Sequence, residues 1–411
     1  MTANVGTPPL SPAGRFVQSR LGGFPRSFWF LWAGSLINRL GTMVEPFLGL
    51  YLTTARGLSL GEAGIVMAIF GGGSIAGQLL GGFLSDRIGR RATLSLSMGC
   101  TGFGMIALAY AEGIPLIVVS ALLLGLTIDM YRPASDAMVA DLISPEERPR
   151  AYGLLFWAIN LGFTFSMLLG GTLARHGYLT LFWIDAVTCM AFAVLVWRAI
   201  PETRPARDTE EGKGGTFLDV LRDRLMVICT LITLVYTFVL MQCMTTLPLA
   251  MKVEGLGPQH YGMAIAANGV LIVTVQPVVN AWLASLDHSR VLAVGMAVMA
   301  VGFGMYALAT RFWIFIVVTL VWTIGEIIAA SVSKAIVADL APVHLRGRYA
   351  GLWGIAWSGG FLLAPLGGTR LLEVGAPVLW ITCGTLAGLG AAAQVMIGPA
   401  IRRRKAAFSS V

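Results

Sequence analysis

Twelve apolar runs of roughly 20 residues recur along this chain and strongly limit what it can fold into. An α-helix of that length crosses the hydrocarbon core of a bilayer, which is about 30 Å thick. Only 12% of the 411 residues are charged, whereas about a quarter are charged in a typical soluble domain. The sequence therefore predicts an all-α polytopic membrane protein with twelve transmembrane helices. The predicted spans are 28–53, 61–84, 93–112, 115–140, 151–174, 178–198, 224–250, 260–286, 291–309, 313–337, 349–371 and 376–398.

Lysine and arginine are distributed unequally between the two predicted sides of the membrane. Of the 29 such residues, 21 fall in the tails and loops of one side, five in the loops of the other, and three within spans. Because positive residues are enriched in cytoplasmic loops, we expect both termini to be cytoplasmic and the protein to lie in the cell membrane. The net charge of +8 is therefore explained by the positive residues of the cytoplasmic loops and tails. The expected partners are the lipid bilayer and a small-molecule substrate, without nucleic acid, and we expect a monomer.

The chain contains an internal repeat at an offset of about 198 residues. Ala140-Asp141-Leu142, at the end of the fourth span, recurs as Ala338-Asp339-Leu340 at the end of the tenth. Two parallel six-helix bundles with a binding site at their interface are a known transporter plan. The predicted divisions are a cytoplasmic N-terminal tail (1–27), an N-terminal six-helix bundle (28–198), a cytoplasmic linker (199–223), a C-terminal six-helix bundle (224–398) and a cytoplasmic C-terminal tail (399–411).

The short turn after the second span reads Gly82-Phe83-Leu84-Ser85-Asp86-Arg87-Ile88-Gly89-Arg90-Arg91. It resembles the G-x-L-A-D-R-x-G-R-R motif of the major facilitator superfamily, and the span count and the repeat extend the resemblance over nearly the whole chain. In that family such a cluster latches the two halves together in the outward-facing state. We expect Arg90 to bridge Asp86 to Asp141; the alternative is that these arginines only anchor the topology. The predicted latch comprises Gly82, Asp86, Arg87, Gly89, Arg90, Arg91 and Asp141.

Ionisable residues within spans are costly and are therefore candidates for function. Glu45 and Glu326 have no opposite charge one turn away in their own helices. Desolvation favours the neutral form of such an isolated carboxyl group, which suits a reversible proton carrier. Arg39 is expected to pair with Asp129 or Glu45, because it would compensate an otherwise unpaired charge. The predicted proton-coupling residues are Glu326, Glu45, Asp129 and Arg39.

Three further ionisable residues within spans have expected structural roles. Arg132 and Asp136 in the fourth span have the i,i+4 spacing of an ion pair, and we predict that they form a buried pair. Asp185 in the sixth span is expected to make local hydrogen bonds.

The resemblance implies that the first, fourth, seventh and tenth spans line a central cavity. Methionine and aromatic surfaces adapt to varied hydrophobic ligands, although each such residue could instead pack against lipid or a neighbouring helix. No basic cluster that would suit a polyanion is expected in the middle of the membrane. The predicted cavity residues are Asn38, Trp157, Asn160, Tyr236, Gln242, Met244, Asn268, Trp353 and Trp357.

Within the superfamily, the sequence looks most like the twelve-span drug:proton antiporter group, through Arg132-Pro133-Ala134 and Gly325-Glu326. The resemblance implies proton-coupled efflux of small hydrophobic or amphipathic compounds by alternating access. A proton-driven importer of a small polar metabolite is the alternative, because polar residues such as Asn160 and Gln242 would serve such a ligand. The four histidines are scattered in or next to loops without a nucleophile or metal motif. We therefore expect no enzyme activity, catalytic residue, metal site or cofactor, with protons as the coupling ion.

Overall fold

The structure, a computed structural model, describes residues 23–203, 220–342 and 345–409. These residues form sixteen α-helices and one 3₁₀ turn (Tyr306–Leu308), without a β-strand. The predicted all-α polytopic architecture is confirmed. The helices are α1 (Arg26–Gly41), α2 (Val44–Thr54), α3 (Leu60–Ile88), α4 (Arg90–Tyr110), α5 (Ile114–Ile128), α6 (Tyr131–Leu142), α7 (Arg148–Ala174), α8 (Leu179–Ala199), α9 (Arg224–Thr245), α10 (Leu247–Val253), α11 (Pro258–Ala284), α12 (His288–Met305), α13 (Phe312–Ala330), α14 (Ser333–Leu340), α15 (Arg346–Val374) and α16 (Ala376–Ser409).

Eleven segments of the described chain are long and apolar enough to cross a membrane. The first predicted span is divided between α1, with 16 residues, and α2, with 11. Neither half is long enough to span a bilayer alone, but together they complete the set of twelve. The last helix, α16, continues to Ser409 through the segment expected to be a tail.

Four of the twelve spans are interrupted part-way along their length, where continuous helices were predicted. The first span divides into α1 and α2, the fourth into α5 and α6, and the seventh into α9 and α10. Pro46, Pro133 and Pro248 lie in the first turn of α2, α6 and α10 respectively. Proline is tolerated there, but in a helix interior its ring clashes with the carbonyl four residues earlier. A helix therefore begins anew just before each proline.

The tenth span divides between α13 and α14 without a proline. The Ser331 hydroxyl donates to the carbonyl of Ile327, and the Ser333 hydroxyl donates to the carbonyl of Ala329. Such back-bonding from serine to its own helix weakens and bends the helix. All four interrupted spans thus carry a local sequence cause for the break.

The two bundles meet at one end of the molecule. We call the end where α1 begins and α16 ends the terminal face, and the other end the opposite face. Near the opposite face, a Cβ on Gly64 of α3 would overlap the Thr369 side chain of α15. A Cβ on Gly171 of α7 would lie 2.9 Å from the carbonyl oxygen of Pro258 in α11. Glycine lets α3 approach α15, and α7 approach α11, across the interface between the halves.

The two bundles lie apart towards the terminal face. A Cβ on Gly82 of α3 or on Gly351 and Gly354 of α15 would meet no atom within 4 Å. The same two helices that pack tightly at the opposite face therefore separate as they run towards the terminal face. Within the described chain, this shape leaves a central space that widens towards the terminal side.

We predict that Gly125→Ala destabilises the protein by about 1–3 kcal/mol, the usual cost of overpacking a tight interface. A Cβ on Gly125 of α5 would overlap the backbone carbonyl of Phe70 in α3, which cannot move aside without shifting a helix. Gly99→Ala is the matched control, because a Cβ at Gly99 would meet nothing within 4 Å. Thermal unfolding in detergent measures both, and equal melting temperatures would contradict the close packing of α3 and α5.

Candidate functional site

A central cavity of about 680 Å³ lies between the bundles, on the terminal side of the helix breaks. Residues of α1, α6, α7 and α8 line most of it, and the C-terminal bundle contributes Lys334 of α14. Leu155, Phe156 and Ile159 supply apolar surface. The polar and charged lining residues are Ser35, Asn38, Arg39, Tyr131, Arg132, Ser135, Asp136, Tyr152 and Lys334.

Arg132 pairs with Asp129 and not with Asp136. The break after α5 places the Asp129 carboxylate where the Arg132 guanidinium, three residues later, contacts it. The Ser74 hydroxyl of α3 donates a second hydrogen bond to Asp129. Arg132 and Asp136 are both exposed and both line the central cavity. The predicted buried Arg132–Asp136 pair is therefore wrong. Both residues lie in α6, but the Arg132 guanidinium contacts Asp129 across the break that precedes this helix.

Arg39 also has a different partner from the one that we predicted. Its Nη2 donates to the hydroxyl of Tyr131, 2.5 Å away. Among the described residues, no carboxylate lies within 4 Å of Arg39, so the predicted pairing with Asp129 or Glu45 is wrong. Arg39, Arg132 and Lys334 together line one cavity. The expectation that no basic cluster lies at membrane depth is likewise wrong, because residues distant in sequence converge there.

A smaller cavity adjoins the central one at the breaks in the first and fourth spans. Three carboxyl groups line it, from Glu45, Asp129 and Asp185, together with the guanidinium groups of Arg39 and Arg132. Three of the four predicted proton-coupling residues thus lie side by side, and Asp185 joins them. Because the acids outnumber the bases by one, one bound proton would balance the charge of this group.

Asp185 of α8 binds the backbone at the break in the first span. Its Oδ2 accepts hydrogen bonds from the backbone N–H groups of Met43 and Val44, each at 3.3 Å. These N–H groups belong to the start of α2, where the helix dipole favours a negative charge. The Cys189 thiol lies 3.7 Å from Asp185 and accepts a hydrogen bond from Asn38 at 3.2 Å. The expected local hydrogen-bonding role of Asp185 is confirmed.

Glu45 lies between two environments. On one side is the carboxyl cluster, and on the other is a small apolar cavity whose lining includes Met241, Met244, Phe361 and Pro365. These four residues belong to the C-terminal bundle, so Glu45 faces the interface between the halves. Within the described chain, the Glu45 carboxylate makes no hydrogen bond or ion pair. Met244 lies in a cavity as predicted, but in this small one.

Glu326 of α13 lies away from the central cavity, within the C-terminal bundle. Its Oε2 accepts a hydrogen bond of 2.8 Å from the Asn268 side chain of α11, which also donates to the Thr323 hydroxyl at 2.9 Å. No cation lies within 4 Å of Glu326 among the described residues. Asn268, predicted to line the substrate cavity, instead positions this carboxylate.

The predicted aromatic residues of the C-terminal bundle pack against one another, edge-to-face or tilted, beside Lys334, and do not themselves line the central cavity. The ring centroids of Tyr236 and Trp357 are 6.0 Å apart, and those of Trp357 and Trp353 are 5.7 Å apart. The Lys334 ammonium lies 5.7 Å from the Trp353 centroid, within cation–π range. The indole Nε1 of Trp357 is buried without a hydrogen-bond partner in the described chain. These aromatic rings place apolar surface next to Lys334, the cation that the C-terminal bundle contributes to the described cavity lining.

Three other predicted cavity residues do not line the central cavity. Gln242 is completely buried, donates to the carbonyl of Ala364 at 3.2 Å and accepts from the Thr246 hydroxyl at 2.7 Å. It joins α9 to α15 and has no room for a ligand. Trp157 and Asn160 lie on α7, and the Asn160 amide donates to the carbonyl four residues earlier at 2.9 Å. Helical periodicity in the sequence could not reveal that the Gln242 and Asn160 side chains already have hydrogen-bond partners in the protein.

The predicted contacts of Arg90 are present at the terminal face. Its guanidinium lies 3.1 Å from Asp141 and 3.3 Å from Asp86. Gly89, with φ of +99°, makes the turn before α4, and a Cβ there would overlap the Glu202 carboxylate. Glu202 caps α4 by accepting from the backbone N–H of Arg90 at 2.8 Å. Sequence analysis missed Glu202, because its partner lies more than a hundred residues away.

The remaining predicted latch residues lie against the same bundle. The Arg87 guanidinium is 4.7 Å from the Phe83 ring centroid, and that of Arg91 is 4.5 Å from Trp197. Gly82 faces open space. The described contacts of the motif therefore tie together the N-terminal bundle. Its contact with the other half remains a prediction for the conformation in which the terminal face closes.

The C-terminal bundle has a counterpart of the Arg90–Asp141 pair. His288 lies 198 residues after Arg90, and its Nδ1 is 2.7 Å from Asp339, the repeat partner of Asp141. Sequence analysis missed this pair, because histidine replaces arginine and obscures the motif. Basic residues of α16 hold three acids of this bundle: Arg402 with Asp287 at 2.9 Å, Arg404 with Asp223 at 2.6 Å and Lys405 with Asp339 at 3.0 Å.

We predict that Asp86→Asn slows transport at least several-fold without unfolding the protein. The Asp86 side chain is 79% exposed, and exposed substitutions usually change stability by no more than about 0.5 kcal/mol. The Asp86 carboxylate affects transport only if it binds the C-terminal bundle when the terminal face closes. Glu146→Gln, an exposed acid at the same face, is the control. A full transport rate for Asp86→Asn in proteoliposomes would reduce the motif to a topology anchor.

We also predict that Asp223 stabilises the attachment of α16 in a pH-dependent manner. Burial opposes ionisation, but the hydroxyl of Tyr349, 2.6 Å away, and the guanidinium of Arg404 outweigh it and lower the pKa of Asp223. A depressed pKa stabilises the fold above the unfolded value of about 3.9. Asp223→Asn should therefore lower the melting temperature at neutral pH, and the difference from wild type should shrink as the pH falls below about 4. A pH-independent difference would contradict this account.

Comparison with known proteins agrees with this geometry. The MFS-type transporter YttB of Bacillus subtilis is 29% identical over 360 residues, which are 85% of this chain and 89% of that protein. A Na(+), Li(+), K(+)/H(+) antiporter of Planococcus maritimus is 24% identical over 79% of this chain and 84% of its own length. The multidrug resistance protein MdtH of Cronobacter sakazakii is 27% identical over 72% of this chain and 74% of its own length.

Solved structures share the fold. A crystal structure of a peptide transporter POT in complex with sulfate has a TM-score of 0.78 at 16% identity, covering 95% of this chain and 99% of that one. The family model described as Major Facilitator Superfamily matches residues 31–279 and 244–410, which together extend over both bundles. The chain therefore belongs to the Major Facilitator Superfamily of membrane transporters.

Proposed function

We propose that this protein is a proton-coupled secondary active transporter of small amphipathic compounds that works by alternating access. The observation that carries the proposal is the cavity at the helix breaks, where Glu45, Asp129 and Asp185 face Arg39 and Arg132. One carboxyl group of this cluster has no counter-charge and is a reasonable place for a transported proton. The cluster adjoins the central cavity, so a bound compound and a bound proton would act on each other electrostatically.

Alternating access fits the shape of the molecule. The bundles touch at the opposite face and lie apart at the terminal face. By the distribution of positive charge, the terminal face would be cytoplasmic, and this conformation would then face inward. Transport would require the glycine contacts at the opposite face to part while the terminal face closes.

Export is the first candidate direction. Its support comes from relatives that are named as a multidrug resistance protein and as a cation/proton antiporter. Adaptable apolar surface, such as the methionines beside Glu45, would suit varied hydrophobic compounds. In this direction, protons would enter the cell in exchange for the exported compound.

Uptake of a small polar compound is the second candidate. The observation in its favour is the polar lining of the central cavity, with three cations, hydroxyl groups and Asn38. Such a lining would hydrogen-bond a polar ligand and would bind a purely apolar one poorly. In this direction, the proton and the compound would move together.

The proton-coupling test uses neutral mimics of Glu326 and Glu45, two carboxyl groups within spans that lack a cation partner within 4 Å in the described chain. Glu326→Gln and Glu45→Gln keep the side-chain shape but cannot release a proton. We predict that each abolishes transport driven by a pH gradient while preserving downhill exchange. A pH-sensitive dye inside proteoliposomes would record proton movement on addition of amphipathic cations, neutral compounds and anions.

Glu254→Gln is the matched control, because Glu254 is exposed near the opposite face. It should leave gradient-driven transport unchanged. If Glu326→Gln and Glu45→Gln both retain gradient-driven transport with normal proton stoichiometry, neither residue carries the proton. Asp129 and Asp185 would then be the remaining candidates within the cluster.

A further inference from the structure

Two cations of the central cavity lack a carboxylate partner. Arg39 donates to the Tyr131 hydroxyl, and the Lys334 ammonium lies against the Trp353 ring. Neither has a carboxylate within 4 Å among the residues that the structure describes. Arg132, the third cation, is neutralised by Asp129. Isolated positive charges at membrane depth are costly and usually mark a ligand or ion site.

Arg39 and Lys334 approach the cavity from opposite bundles. Arg39 lies in the last turn of α1, just before the break in the first span. Lys334 is the second residue of α14, just after the break in the tenth span. Both line the same space of about 680 Å³. A ligand that binds both side chains would therefore contact both halves of the protein.

The surroundings of the two cations also indicate what else the ligand carries. Trp353 lies beside Lys334 and packs at a tilt against Trp357, and Phe156 lines the cavity from α7. Flat aromatic and apolar surfaces of this kind accept a hydrophobic body. Among the remaining charges of the lining, Asp136 offsets one of the two cations. The central cavity is thus lined by three cations and a single carboxylate, Asp136, within the described chain, and such a lining suits the single negative charge of a carboxylate.

We propose that the central cavity binds the carboxylate group of a small amphipathic monoanion between Arg39 and Lys334. The carboxylate lies between the guanidinium and the ammonium, and the apolar body of the ligand lies against the aromatic side chains. This inference rests on the proposed function, since it takes the central cavity to be the place where the transported compound binds. It adds the charge of that compound, which the family and the relatives leave open.

The test compares three probes with one apolar body and different head groups: phenylbutyrate, phenylbutanol and phenylbutylamine. Binding to the purified full-length protein in detergent at neutral pH is measured by isothermal titration calorimetry. We expect phenylbutyrate to bind about tenfold more tightly than phenylbutanol, the effect of one ion pair in a partly hydrated site. The amine should bind more weakly than the alcohol. Equal affinities, tighter amine binding or undetectable phenylbutyrate binding would each overturn the inference.

Variants locate the site. Lys334→Gln and Arg39→Gln should each weaken phenylbutyrate binding about tenfold and leave phenylbutanol binding unchanged. Asp136→Asn should strengthen phenylbutyrate binding, because it removes a repelling charge; a merely structural role for these residues would not produce opposite signs. Arg311→Gln and Arg175→Gln remove exposed cations near the opposite face and should change nothing. If Arg39→Gln fails to fold, Lys334→Gln and Asp136→Asn still decide the question.

The outcome is separable from that of the proposed function. The binding measurement uses neither a membrane nor a proton gradient. If phenylbutyrate binds as described but proton movement never accompanies transport, proton coupling fails and the carboxylate site stands. If proton-coupled transport of neutral or cationic compounds is found while Lys334→Gln leaves phenylbutyrate binding unchanged, the carboxylate site fails and the proposed function stands.

Discussion

Backbone groups released by an interrupted helix find no water in the hydrocarbon core, and this constraint decides where the polar side chains of this protein lie. At the break in the first span, the N–H groups of Met43 and Val44 bind the Asp185 carboxylate. The carbonyl of Thr42 accepts from the Ser166 hydroxyl at 2.5 Å. A carboxylate can accept from such freed N–H groups, and the break in the first span thereby holds Asp185 at the centre of the bundle. The carboxyl cluster is thus partly a consequence of how the helices are broken.

The same breaks separate the packing surfaces of the molecule from its polar ones. Towards the opposite face, glycines such as Gly64 and Gly171 let the bundles touch through backbone and small side chains. Such contacts are made by dispersion forces and involve few groups that would be left unsatisfied when they part. The charged residues of the central cavity lie towards the terminal side of the breaks. An interface of this kind can open at modest cost, as alternating access requires.

Features that depend on neighbouring residues could be predicted from this sequence, whereas contacts between residues that are far apart in the chain mostly could not. Span lengths and the 198-residue repeat depend on local composition and on recurrence, and both were predictable. The repeat even locates His288 opposite Asp339, once the substitution of histidine for Arg90 is allowed for. Ion pairing was predicted wrongly, because the i,i+4 rule considers only partners within one helix. The break before α6 offers Arg132 a different acid, Asp129. A proline in an apolar run was the available signal for that break.

The substrate cavity was harder to predict than the fold for a related reason. A polar residue in a membrane span is a candidate for ligand binding only if no neighbour satisfies it. Gln242 and Asn268 are satisfied by partners on other helices, which one sequence cannot display. Lys334 stands out because, among the described residues, its ammonium lies against the Trp353 ring and has no carboxylate within 4 Å. Lys334 can contact a ligand only while the two bundles lie apart at the terminal face, and a sequence does not show which conformation the bundles adopt.

The charge of the transported compound decides which direction of transport the cavity can drive. A proton at Glu45 would remove a negative charge that repels an anion beside Arg39 in the adjoining cavity, so each would strengthen the binding of the other. Compound and proton would then cross together, and an inward proton gradient would drive uptake. A cation beside Asp136 would instead repel the proton, and the two would bind alternately, as exchange requires. A ligand held between Arg39 and Lys334 would therefore favour joint movement, whereas export would need a ligand held chiefly by Asp136.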